Sequence, residues 1–539
     1  MKIRLVAWLT AACILFSLSG CETAPESQTD SSRPAVESSN VLSEELEKTE
    51  EPISSLSPYA AFYDQALVSD AQTEFGMRYQ LEDGILTDVS LQTDYTGYTG
   101  DGAVGNFEKD SSAVLLYLEL PEAGFYDVTI HAAGVFGEKT NTICFNDNAT
   151  SEFKSPASDT FEPSTLSGIY LEKGINKIEI KKSWGWILLD TISLQPSPPF
   201  DTSIFDVEPT LVNPNAAEYT KRLMKFITDQ YGKKIIVGQH SDQGFNSPEF
   251  KAIFQETGKY PALLELDLID YSPTRAAYGT SSMATEYAIS WAKEQGGIVG
   301  FCWHWNAPKD LLNTQGHEWW SGFYTHATTF DLEKAMNGED PEGYANILRD
   351  IDVIAEQLKR LQEENIPVLW RPLHEASGGW FWWGAKGPEP YIALYRLLYD
   401  RLTNYHGLNN LIWVWNGQAK DWYPGDEYVD IISEDIYPPP HDYSSQTARF
   451  QQALDYTDTR KVIALSENGV IPDPDLIFRD HAPWAWYATW QGKPFVLQID
   501  GVDIYSEEQT EISQLVKMYH SENAITLDEL PDLTSYPLD

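Results

Sequence analysis

Pro367-Val368-Leu369-Trp370-Arg371-Pro372-Leu373-His374-Glu375 is an almost unbroken apolar run that ends in two polar groups. A strand buried on both faces reads this way, whereas a half-exposed strand alternates apolar with polar residues. Runs of the same kind flank it at 235–240 (IIVGQH), 261–268 (PALLELDL) and 298–305 (IVGFCWHW). They continue at 411–417 (LIWVWNG), 429–437 (VDIISEDIY), 461–469 (KVIALSENG) and 484–490 (WAWYATW). Amphipathic stretches such as 346–363 and 390–405 lie between them. Buried strands alternating with helices in this way predict a (β/α)8 TIM barrel over residues 200–539. A doubly wound open sheet is the alternative, but no Gly-rich phosphate loop opens any helix.

Upstream the rhythm changes. Short alternating runs at 113–120 (AVLLYLEL), 125–132 (FYDVTIHA), 176–181 (NKIEIK) and 186–194 (WILLDTISL) are separated by turns such as Glu122-Ala123-Gly124 and Glu172-Lys173-Gly174. This pattern predicts a β-sandwich over residues 75–196, closed by Pro196-Ser197-Pro198-Pro199. A chain of 539 residues exceeds one hydrophobic core, which agrees with two domains. Residues 22–58 are rich in Ser, Glu, Thr and Pro, a composition expected of a disordered linker. Before them, Lys2 and Arg4 precede an apolar run from Leu5 to Leu18, then Ser19, Gly20 and Cys21. That order reads as an export signal over residues 1–21, too short for a spanning helix. Its Leu18-Ser19-Gly20-Cys21 ending resembles a bacterial lipobox, which implies lipidation of Cys21 and a place on the extracellular face of the cell envelope. An ordinary signal peptide is the alternative. Cys144 and Cys302 fall in different predicted domains, so no structural disulfide is expected.

The formal net charge of -44 disfavours nucleic acid and anionic membrane surfaces as partners, and it suits a neutral polymer or simple solubility. Membrane contact is expected through the N-terminal lipid alone, and a monomer is expected. Aromatics make up 13% of the chain, including 18 Trp. Flat rings match the apolar faces of sugars, although they also fill cores.

In a (β/α)8 barrel, reactive groups gather at the C-terminal ends of the strands. His240 ends the first strand, Trp303-His304-Trp305 the third and His374-Glu375 the fourth. Asn416, Tyr437, Glu467 and Trp490 end the fifth to eighth. Two carboxyl groups suffice for glycoside hydrolysis with retention if they stand about 5–5.5 Å apart. Glu375 and Glu467 meet that need from opposite sides of a barrel mouth. Glu265, Asp267, Glu434 and Asp435 also lie in strands and compete with them. A catalytic metal would draw on His240, His304, His317, His326 and His374, yet no HxxxH pair or Cys cluster unites these. A Ser–His–Asp hydrolase lacks its GxSxG elbow.

Trp370-Arg371-Pro372-Leu373-His374-Glu375, followed by Gly379-Trp380-Phe381-Trp382-Trp383-Gly384, resembles the signature of glycoside hydrolase family 26, in which endo-β-1,4-mannanases predominate. The likeness extends through Trp303-His304-Trp305, Asp435-Ile436-Tyr437-Pro438, Ser466-Glu467-Asn468-Gly469 and residues 520–531. It implies Glu375 as general acid/base with His374 beside it, Glu467 as nucleophile and Tyr437 orienting that nucleophile. It also implies a sugar contact by His304 and stacking by Trp380 on the leaving-group side. Trp490, at the predicted end of the eighth strand, is chosen as platform for the cleaved sugar, with Trp486 in reserve. No cofactor is needed for this chemistry. Ala376-Ser377-Gly378-Gly379 departs from the family where Asn is more frequent, and Asn468 stands where an aromatic is frequent.

The front domain resembles carbohydrate-binding module family 35. The matching stretches are Tyr79-Gln80-Leu81-Glu82, Gly97-Tyr98-Thr99-Gly100-Asp101-Gly102, Ala123-Gly124-Phe125-Tyr126, Gly174-Ile175-Asn176 and Leu189-Asp190-Thr191-Ile192. This likeness implies a structural Ca2+ held by Glu82 and Asp190. Trp184 and Trp186 form either a sugar-stacking edge or one core and one surface residue. The expectation is therefore a secreted β-mannan hydrolase. A related β-glucanase or β-xylanase is the alternative, and a glycan-binding lipoprotein without turnover is the alternative of another class.

Overall fold

A computed structural model describes residues 58–146 and 149–538. Cys21 and the 22–57 part of the tether lie outside the described residues.

Eight parallel strands close into a barrel: β1 (Ile235–His240), β2 (Leu263–Asp267), β3 (Ile298–Trp303), β4 (Val368–Pro372), β5 (Leu411–Trp415), β6 (Ile431–Ile436), β7 (Val462–Asn468) and β8 (Trp486–Thr489). β1 closes the ring by pairing with β2 on one side and β8 on the other. Each of the eight apolar runs contains one strand. The runs are nearly continuous because both faces are dry: one faces the barrel interior, the other the surrounding helices. Trp413, for example, packs on the outer face against Tyr395 and Tyr399 of the helix Pro388–Tyr399. The amphipathic stretch at 346–363 is the inner part of the helix Pro341–Glu363, whose first turn is capped by the Asp340 side chain on Gly343 N–H. Residue alternation sets which side chains point inward. Asp267, Cys302 and Arg371 are register partners on β2, β3 and β4, so they share one face near the barrel mouth.

The N-terminal region is a sandwich of two antiparallel sheets. One holds seven strands, among them Gly76–Gln80, Gly124–Ala133 and Leu188–Pro196; the other holds five, among them Ala113–Leu120 and Gly174–Lys181. Val114, Leu116, Leu118, Ile178 and Ile180 point between the sheets into a core that includes Val128, Ile130 and Ile192. On Gly174–Lys181 the intervening Lys177, Glu179 and Lys181 face outward, the alternation of a one-sided strand. Trp186 lies before the last strand rather than within it. Gly185 (φ 67°) and Trp186 (φ 53°) are both left-handed, which turns the chain before Leu188. Both Trp184 and Trp186 are exposed, at 71% and 53%, so neither is a core residue. Cys144 sits on the sandwich strand Lys139–Phe145 and Cys302 on β3.

Sandwich and barrel belong to one compact unit. Arg479 of the barrel lies 4.2 Å over the ring of Tyr170, and His481 packs between Phe125 of the sandwich (4.8 Å) and Phe200 of the joint (4.1 Å).

Candidate active site

Arg371 points from β4 into the barrel mouth with 1% of its surface exposed. Its Nη1 donates to Asp435 Oδ2 at 2.6 Å and its Nη2 to Glu467 Oε2 at 2.9 Å. Asp435 also accepts from Asn416 Nδ2 at 2.9 Å and from Ser466 Oγ at 2.8 Å. The other Glu467 oxygen accepts from the Tyr437 hydroxyl at 2.5 Å. Half of Tyr437 is exposed, but its hydroxyl is turned inward. Gly469 makes that approach possible, because a Cβ there would stand 2.8 Å from the Tyr437 ring.

Glu467 reaches the interior through an irregularity. Ser433 pairs with Ala464 and Glu434 with Leu465, but Asp435 pairs with Glu467. Ser466 is the extra residue of a β-bulge, which re-aims the following side chain. Without it, alternation from Ala464 would place Ser466 inward and Glu467 outward.

Glu375 follows β4 on a backbone held in the left-handed region, as does Leu373, each with φ 53°. Such a backbone costs energy in residues other than glycine and persists only when its surroundings hold it. Here Asn416 Oδ1 accepts the Glu375 N–H at 3.0 Å, and the His374 carbonyl accepts Trp383 Nε1 at 2.9 Å. Trp380 Nε1 donates to Glu375 Oε2 at 2.9 Å. Gly378 clears the space for that indole, since a Cβ there would lie 2.1 Å from its ring. One carboxyl oxygen each of Glu375, Asp435 and Glu467 lies within 4.8 Å of the others.

The two glutamates differ in protonation for physical reasons. Burial pushes the Glu375 carboxyl up, and the negative charge of Glu467 pushes it further. Burial also pushes Glu467 up, but its neighbours, led by the Arg371 guanidinium and including the Tyr437 hydrogen bond, outweigh it and hold the group below its ordinary value. His240, brought down to about 4 by burial, is neutral and donates its Nε2–H to the Ser466 carbonyl at 3.1 Å.

His304 Nδ1 lies 2.7 Å from Asp267 Oδ2, and its Nε2 lies 3.2 Å from His374 Nε2. A sugar hydroxyl reaches His304 Nε2 only by competing with His374. Trp490 packs by His304 and His240, its ring 5.8 Å from the first and 4.7 Å from the second. Beside them a cleft of ≈ 490 Å³ opens over the ends of β1 to β3, walled by Trp490, His304, Phe323 and Tyr324. Trp486 is fully buried inside the barrel, below any position a sugar can reach, so it drops out as the reserve platform. The structure thus gathers Glu375, Glu467, Tyr437, His304, His374, Trp380 and Trp490 at one mouth. Of the competing acids, Glu434 is tied to Arg449 and Tyr456 away from it, and Glu265 lies deeper in the interior.

The arrangement does not suit a catalytic metal. The oxygens of Asp435 and Glu467 are taken by Arg371, Asn416 and Tyr437, and both ring nitrogens of His304 are engaged by Asp267 and His374. Arg371 and Asn416 had no role assigned from sequence. A charged residue of inward parity inside a strand body was the signal available for Arg371.

A barrel mouth with two carboxyl groups this close, one whose proton is favoured by burial and one whose ionised form is favoured by Arg371, has the equipment of a glycoside hydrolase. The profile of glycosyl hydrolase family 26 matches residues 212–529, and that of carbohydrate binding module (family 35) matches residues 77–197. A mannan endo-1,4-beta-mannosidase of Thermothelomyces thermophilus is 44% identical over 452 residues, 84% of this chain and 90% of that protein. Mannan endo-1,4-beta-mannosidase A of Piromyces sp is 36% identical over 459 residues, 84% of this chain and 72% of that protein. The crystal structure of a Podospora anserina GH26-CBM35 β-(1,4)-mannanase matches with a TM-score of 0.61 at 42% identity, covering 85% of this chain and 99% of that one. The chain belongs to glycosyl hydrolase family 26.

Because Glu467 is held below its ordinary pKa, its ionised form stabilises the fold above that ordinary value. The contribution is lost as pH falls through the lower, folded one. Arg371→Met is expected to cost about 3–5 kcal/mol of stability, because it leaves the buried Glu467 carboxylate without its counter-charge. It should also move the acid limb of the hydrolytic pH profile to higher pH. Denaturant unfolding and the pH dependence of kcat/KM check both; an acid limb left in place would refute the electrostatic role of Arg371.

Proposed function

We propose that this protein is a retaining endo-β-1,4-mannanase, cutting internal bonds of mannan, galactomannan or glucomannan by double displacement. The observation that supports retention is the closeness of the two carboxyl groups, an oxygen of Glu375 lying within 4.8 Å of one of Glu467. Inversion needs about 6.5–9.5 Å. The substrate class rests on the names of the relatives and on their coverage of both domains.

In the first step Glu467 attacks the anomeric carbon while Glu375 gives its proton to the departing glycosidic oxygen, and a covalent glycosyl–enzyme forms. Glu467 then carries no charge. The electrostatic push on Glu375 is gone, so Glu375 takes a proton from water, which attacks the anomeric carbon and frees Glu467. Tyr437 and Arg371 hold one Glu467 oxygen each, leaving the carboxylate fixed in angle as it attacks. Trp380 holds Glu375 and offers its exposed ring on the leaving-group side, and Trp490 forms the platform for the cleaved sugar.

The sandwich serves as a sugar-binding module, with Trp184 and Trp186 as its stacking edge. The T-shaped contact of Trp186 with exposed Phe136, 5.7 Å between rings, extends that edge. A Ca2+ held by Glu82 and Asp190 fits the residues present. Glu82 Oε2 is buried with no hydrogen-bond partner among the described residues. A Cβ at Gly100 would stand 2.1 Å from Glu82 Oε1 and 3.0 Å from Gln80 Oε1, so these oxygens converge on one spot. Burial raises both carboxyls, and a hard cation with oxygen ligands offsets that cost. Lipidation of Cys21 would tether the enzyme outside the cell.

Glu467→Ala is expected to abolish hydrolysis of every substrate. Glu375→Ala should lose polysaccharide activity by a factor of about 10² to 10⁴ yet retain the glycosylation burst on an aryl β-mannobioside with a good leaving group. Equal loss on both substrates would overturn the assignment, and NMR of the first-formed anomer tests retention. A panel of mannan, mixed-linkage glucan and xylan tests the substrate class. Chelation should lower the melting temperature of the sandwich and added Ca2+ should restore it; an unchanged melt refutes the calcium site. Cys21→Ala should release the enzyme from the membrane fraction, and unchanged fractionation would exclude the anchor.

A further inference from the structure

Asp267 ends β2 with both oxygens occupied. Oδ1 accepts from the His304 N–H at 3.0 Å and from the Ile269 N–H at 2.9 Å, while Oδ2 faces His304 Nδ1 at 2.7 Å. His304 then meets His374 Nε2 to Nε2 at 3.2 Å, the two rings 4.5 Å apart and nearly perpendicular. Two ring nitrogens at this distance need one proton between them, so one imidazole donates and the other accepts. We propose that Asp267 is a positioning residue for this reaction: with both oxygens it holds the ring and the backbone N–H of His304, which in turn fixes His374, the residue that leads into Glu375.

Other charges bear on the same proton. His304 is influenced by Asp267 on β2, Arg371 on β4, Glu467 on β7, His374 and Glu375 after β4, and Asp242 after β1. Four of these are carboxyl groups and one is a guanidinium. Burial opposes a charge on His304, but Asp267, with Glu467 behind it, raises its pKa on balance. His374 is pushed the other way, first by burial and then by the positive charges of His304 and Arg371, so it stays neutral and accepts. The chain of contacts therefore has a direction, from Asp267 through His304 to His374. Its charge also sits where it favours ionised Glu467. The strained backbone of Glu375 begins one residue beyond the ring that this chain holds.

The inference rests on the assignment of Glu375 and Glu467 given above. It predicts a second group on the alkaline side of the pH profile, separate from the acid Glu375. The test removes Glu375 from view. In full-length Glu375→Ala, kcat/KM for an aryl β-mannobioside with a good leaving group reports glycosylation without proton donation, and an alkaline limb should remain. Adding Asp267→Asn should move that limb down by about one pH unit or more, the size expected for loss of an opposite charge in contact. NMR of 15N-histidine-labelled protein should show His304 titrating above 6.5 in the parent and lower by the same amount in Asp267→Asn. A uniform loss of rate at every pH, or a His304 that titrates below 6.5 in the parent, overturns the proposal. The NMR titration also decides it if the variants fold poorly. Failure of all forms to cleave the aryl mannoside would overturn the mannanase reading instead, leaving the His304 titration to judge Asp267.

Discussion

Arg371 places one positive charge at the centre of the barrel mouth, where it is shared between Asp435 and Glu467 and almost shut off from water. A buried ion pair gains little over an apolar core, because removing its charges from water costs several kcal/mol per ion. Its value here lies in what it permits. A carboxylate can stay ionised in this dry mouth because the guanidinium, Tyr437 and their neighbours supply the donors that water would have given. With Glu467 charged, Glu375 can hold its proton. The opposite shifts of two chemically identical side chains thus depend above all on one arginine.

Backbone irregularity does the rest of the aiming. The bulge at Ser466 swings Glu467 to the inner face, and the left-handed turn at Glu375 lifts its carboxyl above the end of β4. Both departures carry a cost, and both are held by side chains of neighbouring strands: Ser466 by Ser433 and Asp435, Glu375 by Asn416. Asn416 links the two, donating to Asp435 and accepting from Glu375. Glycine serves the same end where rings must come close, at Gly378 beneath Trp380 and at Gly469 beside Tyr437. The left-handed backbone at Glu375 and the bulge at Ser466 fall at the two glutamates that the barrel mouth brings together.

The sandwich is set against this frame by aromatic contacts rather than left on a free joint. His481 against Phe125 and Phe200, and Arg479 over Tyr170, join one domain to the other. The exposed rings of Trp184 and Trp186 therefore keep a defined bearing relative to the barrel mouth. For a polymer held on that face, a fixed bearing would raise the effective concentration of chain near Glu375 and Glu467.

The sequence by itself determined the barrel. Strands buried on both faces must be apolar almost throughout, so all eight stood out as runs, and their polar ends marked the mouth. It determined the candidate carboxylates as well, because the residues around Glu375 and Glu467 match a family signature. It did not determine which way Glu467 points: strict alternation along β7 turns it outward, and only the paired register with β6 reveals the bulge. Nor did it show that Trp186 precedes its strand, since a left-handed pair at Gly185 and Trp186 interrupts a pattern that reads as continuous. Arg371 was visible as a charge in a strand body, but its partners lie 64 and 96 residues away. Pairings over such distances follow from closure of the barrel. The protonation states of Glu375, Glu467 and His304 follow from those pairings, and for that reason they belong to the tertiary structure alone.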